Sequence, residues 1–175
     1  MPRVKWTDRK FDFSFPPGIF PEMIERVRGT PARLEERIAS LPEARLRQKD
    51  GERWSIQENA GHLLDLESLV AQRLDEYLSG AAELHAADMS NRKTYDANHN
   101  EVKVESILNG FREQRMSLVK RLDELEPEMF ERAAWHPRLK VPMRLVDMIF
   151  FQAEHDDFHL ASISELMRMF NSGAP

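Results

Sequence analysis

The chain has 175 residues, 30 acidic against 25 basic side chains, a formal charge of −5 and no cysteine. That length is one domain able to bury its own core, and without cysteine any metal must sit on imidazole, carboxylate or water. Net acidity without a long basic tract argues for no nucleic acid partner. With no apolar run near the roughly 18 residues of a membrane span, no membrane partner is expected either. The N-terminal MPRVKWTDRKFDF has no signal-peptide core, so a cytoplasmic protein is expected.

Residues 1–18 are aromatic and basic and end at Pro16-Pro17-Gly18, which predicts an N-terminal extended arm lying on a bundle domain that spans 19–172. A first helical region runs from about Phe20 to Leu41, with Ile24, Val27, Leu34, Ile38 and Leu41 at helical spacing. It breaks near Gly29, where Thr30 and Pro31 fit an N-cap followed by proline at the first helical position. The second helix starts at a capping box, Ser55 with Glu58, and runs to about Ser79 with Gly80 as its stop. Residues 81–102 are polar without a period and read as a long loop. A third helix covers about Val104 to Leu125, ahead of Pro127. Residues 128–142 read as a second long connection, and a fourth helix runs from about Met143 to Phe170. No strand-period run competes with these helices, so the expectation is an all-α four-helix bundle with long connecting loops, of the kind that often line a site at one end.

The fourth helix carries an unusual stripe. Leu145, Met148, Ile149, Leu160, Ile163, Leu166, Met167 and Phe170 share one face, and Gln152, His155, Asp156 and His159 fall in its middle. Four polar groups in a buried patch need a shared partner. His155 and His159 are one turn apart, which lets both imidazoles reach one ion. The plainer reading is two core histidines bonded to carboxylates or backbone. His62, at the edge of the second helix's stripe, offers a third imidazole. Three protein ligands leave positions open, the pattern of catalytic rather than structural metal sites.

The segments WSIQENAGHLLDLE (54–67) and AEHDDFHLASISEL (153–166) resemble the DinB-like superfamily, which includes YfiT-type proteins and thiol-dependent S-transferases. The resemblance extends over roughly residues 20–170. It implies an up-down-down-up four-helix bundle, frequent homodimerisation, and a divalent metal ion (zinc, nickel or manganese) on His62, His155 and His159. It also implies a transferase or hydrolase acting on a small-molecule substrate, a small electrophile, in some members with a low-molecular-weight thiol as cosubstrate. The competing class is a non-catalytic metal-binding helical protein with a stress-related role. No catalytic acid or base is assigned.

Other residues divide by context. Glu67 and Arg115 each sit in an otherwise apolar stripe and are expected to pair across the bundle. Glu58 reads as a cap rather than a general base. Asp156 either orients a metal-bound imidazole or accepts a bond from another helix. Asp65 reads as surface, and His85, His99 and His136 read as solvated loop residues. Trp54, Trp135 and Phe158 read as packing groups.

Overall fold

The computed structural model describes residues 3–172, so the first two residues of the expected arm lie outside it. The first helical region is two helices, α1 (Phe20–Arg28) and α2 (Thr30–Ile38), with Gly29 between them. Thr30 does not cap α2. Its hydroxyl instead donates to Asp156 Oδ2 at 2.8 Å. A short helix, α3 (Glu43–Leu46), leads into α4 (Ile56–Ser79). The capping box is present: Ser55 Oγ accepts the Glu58 N–H at 3.0 Å and Glu58 Oε2 accepts the Ser55 N–H at 2.7 Å. Gly80 ends α4 with φ +72°, a backbone state that glycine adopts without a Cβ penalty.

The stretch read as one long loop contains α5 (Arg92–Asp96), entered through Asn91 in the left-handed region, and a helical turn at His99–Glu101. Helix α6 spans Val104–Asp123 and α7 spans Leu145–Ser172. Between them, where no strand was expected, β1 (Ala133–His136) and β2 (Val141–Arg144) form an antiparallel hairpin with Ala134 opposite Met143 and His136 opposite Val141. Two strands alone are marginal. Here the outer edge of β1 is also bonded, with Leu84 N–H to the Trp135 carbonyl and Trp135 N–H to the Ala82 carbonyl. Pairing to residues 82–84 is what two four-residue strands, one followed by Pro137 and the other containing Pro142, do not announce in sequence.

The α1–α2 pair, α4, α6 and α7 pack as a helical bundle. Its core is split. One cluster holds Val70 and Leu74 of α4, Leu118 and Leu122 of α6, and Val146 and Ile149 of α7. The other holds Ile56 and Leu63, Ile107 and Phe111, and Leu160 and Ile163 from the same helices. Between them each helix turns polar at one level: Glu67 on α4, Arg115 on α6, and Gln152 to His159 on α7. No helix among the described residues is long and apolar enough to cross a membrane.

Candidate metal centre

In the polar layer, Arg115 is fully buried and bonded on every side. Its Nε and Nη2 donate to Glu67 at 3.0 and 2.7 Å, Nη1 donates to the Val27 carbonyl at 3.0 Å, and both terminal nitrogens reach Asp156. Asp156 also accepts from Thr30 and from Gln152 Nε2. The expected Glu67–Arg115 pair is therefore a triad. Asp156 turns to the arginine, and neither of its two oxygens is bonded to an imidazole.

One turn along, His62, His155 and His159 meet. Each offers a ring nitrogen, and the three atoms lie within 4.8 Å of one another. His155 Nε2 and His159 Nε2 are 3.2 Å apart. Burial holds all three rings neutral: His62 is pushed down to about 4, and His155 and His159 fall well below the usual histidine range, with the neighbouring imidazoles adding to the effect. Neutral imidazole is the form that donates a lone pair.

Two partners face the outer ring nitrogens. Asn59 Nδ2 donates to the Trp54 and Ser55 carbonyls, so its Oδ1 is the acceptor facing His159 Nδ1 at 2.9 Å. The His159 proton is thus on Nδ1 and the Nε2 lone pair faces the cluster. Thr94 Oγ1 lies 2.9 Å from His62 Nδ1. Thr94 thereby occupies the outer nitrogen of His62 and leaves the second nitrogen to the cluster. His155 Nδ1 is buried without a partner. His159 Nε2, a lone pair, accepts the His155 Nε2–H at 3.2 Å, which leaves the buried His155 Nδ1 as a bare acceptor. The donor set fits a divalent ion that takes imidazole.

Neither Asn59 nor Thr94 stands out in sequence. Asp65 was expected at the surface, yet it is buried and bonded to His99 Nε2 at 2.8 Å. His99 and His136, expected in solvent, are 5 % and 1 % exposed, whereas His85 is exposed as expected. His99 fits because residue 61 is glycine: a Cβ there would lie 2.2 Å from the His99 ring. Glu58 is a cap and bonds Lys49.

The histidines form one wall of a cavity of about 240 Å³. Trp54 and Phe158 are part of its lining rather than core alone. Trp54 lies 4.6 Å from the His62 ring, and from the N-terminal residues Trp6 lies 5.0 Å from the His155 ring. Trp6 is held over α7 by Phe11, Phe151 and Phe158, while Arg9 bonds Glu154.

Solved structures with this fold are diverse. YfiT from Bacillus subtilis, a probable metal-dependent hydrolase with an unusual four-helix bundle topology, superposes with a TM-score of 0.80 at 19 % identity, over 93 % of this chain and 94 % of that one. A mycothiol-dependent maleylpyruvate isomerase gives 0.66 at 9 % identity, over 84 % of this chain and 60 % of its own. The colibactin self-resistance protein ClbS, in complex with double-stranded DNA, gives 0.66 at 15 % identity, over 85 % and 95 %. This last structure overturns the inference that an acidic chain of this kind takes no nucleic acid. Net charge sums the whole surface, whereas phosphate contact depends on a few local side chains. No protein of curated function matches the sequence. The DinB superfamily pattern matches residues 26–163, and the chain belongs to that superfamily.

Proposed function

We propose that this chain is a metal-dependent enzyme, a thiol-dependent S-transferase or a hydrolase acting on a small electrophile, built on an up-down-down-up bundle, with His62, His155 and His159 holding one divalent ion. The observation that carries the reading is three neutral, buried imidazoles converging on the wall of a cavity, two of them with their outer nitrogens committed to Asn59 and Thr94. Zinc, nickel or manganese held there supplies Lewis acidity that lowers the pKa of a water or thiol brought to it. The protein's own part is positional. Asn59 keeps the His159 proton on its outward nitrogen, Thr94 engages the outward nitrogen of His62, and Trp6, Trp54 and Phe158 wall the cavity against bulk water. No fourth histidine or carboxylate among the described residues joins the three, which favours an open site over a sealed structural one.

The test is to strip the protein with chelator and titrate zinc, nickel and manganese while following melting temperature and bound metal. An ion at 100 times its dissociation constant adds about 2.7 kcal/mol of stability, and His155→Ala abolishes the gain. The loaded protein is then offered low-molecular-weight thiols with aryl halides, epoxides and esters, against His159→Ala. No metal uptake by the stripped protein, with no thermal shift, removes the reading.

A further inference from the structure

The cavity has a second polar end. Arg73, His136 and Arg138 line it. Arg73 is 5 % exposed and donates Nε and Nη2 to the His85 carbonyl at 3.0 and 2.8 Å, a neutral acceptor. Arg26, Arg112, Arg115 and Arg144 are each salt-bridged, but among the described residues neither Arg73 nor Arg138 makes a salt bridge, and Glu76 acts on Arg73 only from beyond contact. Arg138 lies over the rings of Trp6 and Phe151, 5.7 and 5.3 Å from their centroids, and its buried Nη2 has no acceptor. His136 Nδ1 accepts the Leu139 N–H at 3.2 Å, which places the ring proton on Nε2. That buried Nε2–H has no acceptor either. Burial, reinforced by Arg73 and Arg138, holds this ring down at about 4, so it adds a donor and no charge. The cavity's single carboxylate, Asp88, is already committed to Ser90 and the Arg92 N–H.

Two guanidinium groups without a salt bridge, beside an idle N–H donor in one cavity, are a costly arrangement that an anion would complete. We propose that Arg73, Arg138 and the His136 Nε2–H form the recognition site for a carboxylate of the small molecule whose reacting end lies at the three histidines. A planar guanidinium fork matches a carboxylate's two oxygens. The volume suits a compact organic acid rather than a polymer. The assignment rests on the cavity being the reaction site proposed above, but its test needs no metal.

Chelator-stripped protein is titrated with succinate, succinamide and inorganic phosphate, followed by calorimetry and by the fluorescence of Trp6 and Trp54. Succinate binds and neutral succinamide does not. Arg138→Gln weakens succinate about tenfold or more, in line with losing a charged hydrogen bond, and Arg73→Gln does the same where it folds. His62→Ala leaves succinate affinity within about twofold, because His62 touches only the far end. Three results overturn the assignment: equal binding of succinate and succinamide, phosphate bound in preference to succinate, or loss of succinate in His62→Ala with retention in Arg138→Gln. Failure of zinc binding with succinate binding intact removes the metal reading alone.

Discussion

Asp156 and His155 are neighbours on α7, both buried, and their surroundings differ in kind. Asp156 belongs to a closed set: Arg115, Glu67, Thr30 and Gln152 use one another's donors and acceptors. His155 belongs to an open one, in which ring nitrogens face each other and Nδ1 has no partner. A buried polar group that is paired within the fold contributes to holding the fold together. One that keeps a nitrogen without a partner beside a shared gap contributes less to the apo fold and fits an external ligand. The difference therefore separates scaffold from site within one helical turn.

The comparison breaks most visibly at Arg115. Arg115→Met leaves Glu67 and Asp156 as two buried carboxylates without a cation, and unfolding free energy in urea falls by about 3–5 kcal/mol. The pKa directions agree: Arg115 is held protonated by Asp156 and Glu67 against the cost of burial, while Glu67 is pushed up by burial despite the arginine. A loss below about 1 kcal/mol would show that the triad is not the scaffold element described here.

A smaller effect, confined to the open set, is expected from the residues that orient it. Asn59→Ala and Thr94→Val free the outer nitrogens of His159 and His62, and zinc affinity falls by about 10–100-fold while the apo fold survives. Unchanged affinity in both variants would mean that the ion does not depend on ring orientation.

How much of this was legible follows from where the partners lie. Glu67 and Arg115 are visible because each interrupts an apolar stripe, and the histidines are visible because helical spacing stacks 155 on 159. Asn59 lies on the buried face of α4 between Ile56 and Leu63, but its partner His159 is 100 residues away and nothing in the sequence joins the two. Thr94 and His99 lie in a polar segment without a period. Their partners, His62 and Asp65, are 32 and 34 residues away, so the pairing exists only through space. The hairpin carrying His136 and Arg138 was missed for the same reason, since its stability comes from pairing with residues 82–84.

The smallest effect sharpens the contrast through pH. His136 is held near 4 when folded and titrates near 6.5 when unfolded. Below pH 6.5 the unfolded chain takes up a proton that the folded ring refuses. The unfolded state then binds more protons, and stability falls as pH drops from 6.5 towards 4. The slope is on the order of 1 kcal/mol per pH unit. His136→Gln keeps a donor there without a titrating ring, so the stability difference between wild type and variant narrows across that window and is flat above pH 7. Saturating succinate stabilises the folded state of wild type, as any ligand selective for it must, while its weaker hold on Arg138→Gln gives a smaller shift at the same concentration. A pH-independent difference between wild type and His136→Gln would mean that the folded ring takes up its proton as readily as the unfolded one, so that below pH 6.5 an imidazolium joins the two guanidinium groups at that end of the cavity.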